Sequence, residues 1–233
     1  MPAGPTASVT VTALWTLESL AAPSGMARWW QHRRVVRGWT LALSTDSPAQ
    51  YLSLEDTWQR LGAQLGRPAG LVVELGAGCG LAGLAVSVSV ASRVKSSPPA
   101  VLLTDLAAVV PLLQRNVARN PLAAGVAVAP LVWGDPASTS AALGPGRQAD
   151  IVLGADLVYR QPNVEPLLAA LSQVLRVGGI AVLALDTSHC PEAVADFLAR
   201  AAETHAVRRV PHSQLAAGYA CEDVAVVELL RLR

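Results

Sequence analysis

The sequence predicts an α/β fold: a doubly wound, mostly parallel seven-stranded sheet with an antiparallel last strand pair. Three observations carry that expectation. From residue 71 onward, short apolar runs alternate with helical segments, the pattern that lays helices on both faces of a parallel sheet. The first run, "LVVEL" (71–75), opens into "GAGCG" (76–80), which puts glycines on alternate positions between a strand and a helix. The last two strand-like runs, "HAVRRV" (205–210) and "DVAVVELLRL" (223–232), have no helix between them, so they are expected to pair antiparallel.

Residues 1–50 carry prolines at 2, 5, 23 and 48 and little periodicity, and read as an irregular N-terminal arm or cap ahead of a main domain over 51–233. In "YLSLEDTWQRLGAQL" (51–65), Leu54, Trp58, Leu61 and Leu65 recur at helical spacing, and "GRPAG" breaks the pattern. After the strand 71–75, "GLAGLAVSVSVAS" (80–92) is a helix, "AVLLTD" (100–105) a second strand and "AVVPLLQRNVARN" (108–120) a helix with an apolar side. "VAVAPLVW" (126–133) and "DIVLGAD" (150–156) are the third and fourth strands. "VEPLLAALSQVLR" (164–176) is a helix, "GGIAVLAL" (178–185) a fifth strand and "PEAVADFLARAAE" (191–203) the last helix. On composition, "RVKSSPPA" (93–100) and "DPASTSAALGPGRQ" (135–148) read as surface loops.

A chain of 233 residues can bury one large core. Although 52% of it is hydrophobic, no stretch approaches the roughly 20 apolar residues of a membrane span, so no membrane association is expected. Three cysteines, Cys79, Cys190 and Cys221, are odd in number and far apart. They supply neither a disulfide framework nor metal-ligand spacing, so no metal site and a reducing, cytoplasmic setting are expected. A net charge of +1 argues against a broad nucleic-acid-binding face. One local exception is Arg28, Arg33, Arg34 and Arg37, interleaved with Trp29, Trp30 and Trp39. That cluster reads either as a grip for bases or an acidic partner, or as packed tryptophans with solvated arginines. His32, His189, His205 and His212 are scattered and read as surface or loop residues.

The chemistry concentrates at the glycine turn. In an open α/β sheet, ligands bind beyond the carboxyl ends of the strands where strand order reverses. Gly76, Gly78 and Gly80 let the backbone turn tightly and approach a ligand, and the next helix presents unpaired N–H groups. "GCGLAG" (78–83) also satisfies the dinucleotide pattern G-x-G-x-x-G, and a purely structural turn is a third reading. Glu74 favours another ligand: a carboxylate just before the glycines repels a pyrophosphate but suits an ammonium beside a carboxylate, both of which S-adenosyl-L-methionine carries together with a ribose. Asp105, ending the second strand, can accept from ribose hydroxyls or cap the next helix. Trp133 can stack on adenine or belong to the core.

These pieces resemble the Rossmann-like, seven-strand class I methyltransferases, and among them the protein-lysine methyltransferases that include the valosin-containing-protein lysine methyltransferase. The resemblance rests on "VVELGAGCGLAGLA" (72–85), "VLLTDLAAVVPLLQRNVARN" (101–120), "LVWG" (131–134), "ADIVLGADLVYRQPNVEPLLAAL" (149–171) and "YACEDVAVVELLRL" (219–232). It implies that 51–233 is the methyltransferase domain, with S-adenosyl-L-methionine as cofactor. Gly76, Ala77 and Gly78 would line the donor's amino-acid end, Asp105 the ribose and Trp133 the adenine, with Ala155 also touching the donor. "DLVY" would face the target amine, Asp156 and Tyr159 being its catalytic residues; outside this context the pair reads as a cap and a core aromatic. A substrate protein, in the class of a chaperone or an ATPase, is the implied partner of a monomeric enzyme. The family's lid tryptophan has its counterpart only in Trp58, closer to the glycines than usual.

Chemically, a carboxylate at the accepting nitrogen stabilises the positive charge that develops there, and an aromatic wall can hold an ammonium by its face. Three rivals share parts of this pattern: a methyltransferase for small molecules or nucleic acids, a noncatalytic binding module, and an NAD-dependent oxidoreductase. The last lacks a clear hydride-transfer acid or base.

Overall fold

The computed structural model describes residues 55–91, 98–120, 125–215 and 222–233. The arm 1–50 with its Arg/Trp cluster, most of the 93–100 loop and Cys221 lie outside the described residues. Helices and strands alternate through the described chain. Helix α1 (Glu55–Leu65) leads into β1 (Leu71–Glu74), α2 (Leu81–Ala91), β2 (Ala100–Asp105), α3 (Val110–Ala118) and β3 (Val126–Pro130). There follow α4 (Pro136–Leu143), β4 (Ala149–Ala155), α5 (Val164–Val174), β5 (Leu175–Asp186), α6 (Pro191–Ala201), β6 (His205–Arg209) and β7 (Val224–Arg231).

The seven strands form one sheet in the order β3-β2-β1-β4-β5-β7-β6. Strands β1 to β5 pair in parallel, and β7 runs antiparallel to both β5 and β6. The reversal of strand order falls between β1 and β4, so the carboxyl ends Glu74 and Ala155 flank the crevice in which such sheets bind ligands. β1, β4 and most of β5 are buried on both faces, which is why they read as unbroken apolar runs. One cluster packs α5 and α6, with Phe197 on the latter, against Val73, Val152 and Leu183 of the sheet. The other packs α1 and α2 against Val72, Ile151, Ile180 and Val226.

Residues 135–148 correct the composition-based expectation of a loop. Asp135 Oδ1 accepts from Ala137 N at 2.9 Å, Pro136 starts helix α4, and Gly144 ends it at φ +91°. Asp-Pro is a helix-start signal as much as a loop signal, and burial of Thr139 and Leu143 decides between them. β3 is also shorter than the apolar run that predicts it: it ends at Pro130, leaving Trp133 in the turn before α4. At the amino ends of the strands, buried Asp150 accepts from Arg67, Arg176 and the Gly70 and Leu71 amides. Burial pushes the Asp150 carboxyl up, but the Arg176 bond, those amides and the Arg67 charge outweigh it and hold it below the ordinary range. Buried Glu228 on β7 joins Arg60 of α1 to Arg208 of β6.

His205 corrects the reading of the histidines as surface residues, whereas His189 and His212 are exposed. As the first residue of β6 it faces inward at 2% exposure, with Nδ1 3.2 Å from the Ala201 carbonyl and 2.9 Å from Thr204 Oγ1. Its Nε2 is buried without a partner among the described residues. Burial lowers its pKa, the Ala201 carbonyl opposes that, and the Arg231 charge adds to it. The folded state therefore keeps this ring neutral where the unfolded chain, with a pKa of about 6.5, takes a proton. That stabilising contribution is complete above pH of about 6.5 and is lost as pH falls through the window down to the lowered folded value. The melting temperature should fall on acidification through this window, and His205→Gln should flatten the fall. An equal slope in the variant would assign the effect to another group.

Candidate active site

The strand ends and the glycine turn assemble the site at the carboxyl edge of β1, β2 and β4. Gly76, Gly78 and Gly80 have φ of +59°, +56° and +81°, the left-handed region open to glycine. Their surroundings differ. A Cβ at Gly76 would stand 2.8 Å from Leu157 and 3.0 Å from Trp133, and one at Gly80 would meet Leu103 and Leu113, so both serve packing. A Cβ at Gly78 would meet nothing within 4 Å, which marks it as the glycine that borders open space. Ala77 is buried and donates from its amide to the Thr104 carbonyl at 2.9 Å.

Asp105 lies across this turn. Its Oδ2 accepts from the Gly78 amide at 2.7 Å and its Oδ1 from the Leu106 amide at 2.7 Å. Burial raises the Asp105 pKa against those two bonds. Glu74 takes a different position: it is 3% exposed, and its Oε2 accepts from the Gly83 amide at 2.8 Å. The carboxylate thus sits at the first turn of α2, where the helix dipole favours a negative charge. A Cβ on Gly83 would come within 2.6 Å of that oxygen.

Trp133 is half-buried and its ring lies beside Gly76, which brings the predicted adenine residue to the predicted amino-acid turn. Ala155 ends β4, half-exposed, opposite Ala184. Asp156 follows at φ +57°, the left-handed residue other than glycine among those described, a conformation that Asp and Asn tolerate better than most. Its amide donates to the Ala184 carbonyl at 3.0 Å. Leu157 and Val158 are buried, while Asp156 and Tyr159 stay half-exposed at the edge. The Arg160 guanidinium stands 5.2 Å from the Tyr159 ring centroid, so that ring face already carries a cation.

Trp58 is not brought to this edge. It lies on α1 and, with Arg67, Pro68, Ala69 and Pro99, lines a cleft of about 530 Å³. Those residues precede β1 and β2, so the cleft opens at the opposite end of the strands. Sequence reasoning gave no role to Thr104 or Asn116. Thr104 Oγ1 donates to the Glu74 carbonyl at 2.6 Å, and fully buried Asn116 donates from Nδ2 to the Cys79 carbonyl at 2.8 Å, tying α3 to the glycine turn. The available signal was Asn116 falling on the helix face of Leu112 and Leu113. Among the described residues, no three His, Cys, Asp or Glu side chains gather as a metal site requires, and no helix is long and apolar enough to cross a membrane.

The model of a family described as lysine methyltransferase matches residues 48–204. Protein-lysine N-methyltransferase EFM6 of Saccharomyces cerevisiae is 32% identical over 123 residues, 51% of this chain and 44% of the relative. Protein-lysine N-methyltransferase EFM2 of the same yeast is 31% identical over 108 residues, 46% of this chain and 26% of the relative. The chain thus spans less than half the length of either curated relative. The solved structure of mitomycin 7-O-methyltransferase MmcR is similar in fold, with a TM-score of 0.59 at 15% identity over 89% of this chain and 58% of that one.

Proposed function

The chain belongs to the lysine methyltransferase family, and from that premise we propose that it is an S-adenosyl-L-methionine-dependent protein-lysine N-methyltransferase. The observation that carries the proposal is the juxtaposition at the switch point. A glycine turn ends β1, and a left-handed Asp156 ends the neighbouring strand β4, with Leu157 packed onto Gly76 between them.

The residues present fit the donor. Gly78 borders the space that a ligand's amino-acid end needs, and Asp105 offers carboxylate lone pairs beyond the two taken by backbone amides. Trp133 supplies an aromatic surface beside the turn. When bound, S-adenosyl-L-methionine supplies an electrophilic methyl group on a cationic sulfur. Asp156 stabilises the positive charge that develops on the accepting nitrogen. Tyr159, with the Arg160 guanidinium over one face of its ring, receives the incoming ammonium on the other face. Desolvation against the Tyr159 ring lowers the lysine pKa from about 10.4, so that the nitrogen can lose its proton to water before it attacks. Glu74 contributes indirectly, by fixing the start of α2 beneath the turn.

This reading takes the acceptor to be a protein, as the names of the yeast relatives state for them. It also takes the enzyme to be a monomer in the cytoplasm, with 51–233 as its methyltransferase domain. Exposed Glu222 and Asp223 lead into β7 beside the end of β5, where the Asp223 carbonyl accepts from the Thr187 amide at 2.8 Å. They therefore stand at the same sheet edge as Asp156 and can attract a basic target segment. The test is incubation of the purified chain with methyl-labelled donor and desalted cell extract, followed by mass spectrometry. Methyl-lysine is expected on a protein, with a lower yield from a Glu222→Lys, Asp223→Lys double variant. Label confined to nucleic acid or small metabolites would overturn the lysine reading, and an unaffected double variant would remove the acidic pair from it.

A further inference from the structure

We propose that Asn163 is a positioning residue for the acceptor side of the site; the proposal rests on reading residues 156–159 as the element that faces the target amine. Those residues have no regular secondary structure of their own, so something else must set where Asp156 and Tyr159 stand. Besides the bond from the Asp156 amide to the Ala184 carbonyl at 3.0 Å, two contacts do so from inside. The Leu157 side chain fills the space over Gly76 and Gly154, neither of which could carry a Cβ without displacing it, and Val158 is buried beside it. A third contact comes from the chain ahead. Asn163 Nδ2 donates to the Leu157 carbonyl at 3.2 Å, while the Asn163 amide donates to the Arg160 carbonyl at 3.1 Å.

Asn163 closes the segment 157–163 into a loop that is itself anchored. Asn163 ends a short 3-10 turn, Gln161–Asn163, that runs into α5, and Gln161 Nε2 donates to Asp196 Oδ2 of α6 at 2.6 Å. The Leu157 backbone is thereby held by a side chain whose own position is set by two packed helices. Leu157 also touches the donor's glycine turn, so a shift of its backbone changes the spacing between Asp156 and Gly76. Asn163 accordingly acts on the alignment of acceptor with donor and not on donor binding.

The experiment compares wild type with Asn163→Ala and Asn163→Asp, using tritiated S-adenosylmethionine and a fixed quantity of desalted cell extract. Asn163→Asp keeps the shape of the side chain but offers only acceptors to the Leu157 carbonyl, so it should behave like the alanine variant. At saturating donor, both should label protein about ten- to a hundredfold more slowly, the range expected for misalignment of reacting groups. The donor KM and the affinity for S-adenosylhomocysteine should not change. Hydrogen exchange at the amides of residues 157–160 should be faster in both variants. An unchanged rate in either variant, or a matching loss of homocysteine-product affinity, would overturn the proposal. If wild type labels no protein, the functional reading fails, and hydrogen exchange still decides the role of Asn163: unchanged protection at 157–160 would overturn it.

Discussion

Asp156→Asn should slow methyl transfer by about a hundredfold or more while S-adenosylhomocysteine binds as tightly as to wild type. The magnitude is that of removing one preorganised charge from a developing transition-state charge. Asparagine is the informative replacement because the residue sits at φ +57°. Asn tolerates the left-handed region nearly as well as Asp, whereas Ala would add backbone strain to the loss of charge. The Asp156 amide would keep its bond to the Ala184 carbonyl in either case, so the β4–β5 register should survive. Initial rates with labelled donor and calorimetry with the homocysteine product separate the two effects. A near-normal rate would reduce Asp156 to the end of a strand, and a parallel loss of product affinity would move it to the donor side.

Gly78→Val should weaken S-adenosylhomocysteine binding by about a hundredfold or more, with a much smaller effect on folding. Its Cβ would meet no protein atom within 4 Å, so the new side chain enters open space that the ligand needs. The backbone at φ +56° adds strain of about 1–2 kcal/mol for a residue with a Cβ. The same change at Gly80 would drive a side chain into Leu103 and Leu113 and damage the core instead. Asp105→Ala should also weaken binding strongly, since it removes the carboxylate and leaves the Gly78 and Leu106 amides without their acceptor. Because burial raises the Asp105 pKa, product affinity should begin to fall on acidification above the usual carboxylate value of about 3.9. Calorimetry against pH, with the melting temperature followed in parallel, checks all three outcomes. Undiminished affinity in Gly78→Val would place the ligand elsewhere.

Much of the architecture was legible because it is written in short-range patterns. β1, β4 and β5 are apolar on both faces and show as runs, while α1, α3, α5 and α6 show as stripes, and both signals need only neighbouring residues. The antiparallel ending was legible for a similar reason, since two strands without a crossover helix can lie side by side only in opposite directions. Composition failed at 135–148, where Asp-Pro followed by small polar residues describes a loop and a capped helix equally well; burial of Leu143 under the fold separates them.

By itself, then, the sequence determined the α/β class, the place of the glycine turn at the end of the first strand, and the acids and aromatics near the strand ends. Tertiary structure alone decided what each of those side chains faces. Glu74 and Asp105 are both acids at strand ends, yet Glu74 turns under the helix to the Gly83 amide while Asp105 reaches across the open turn to Gly78. His205 reads as a surface or loop residue until the end of α6 comes against it. Leu157 and Asn163 acquire their roles only when β4 lies beside β1 and α5 packs behind them. Each of these outcomes depends on which distant element arrives to desolvate a group or to offer it a partner, and a carboxylate, an imidazole or an amide carries no local mark of that arrival.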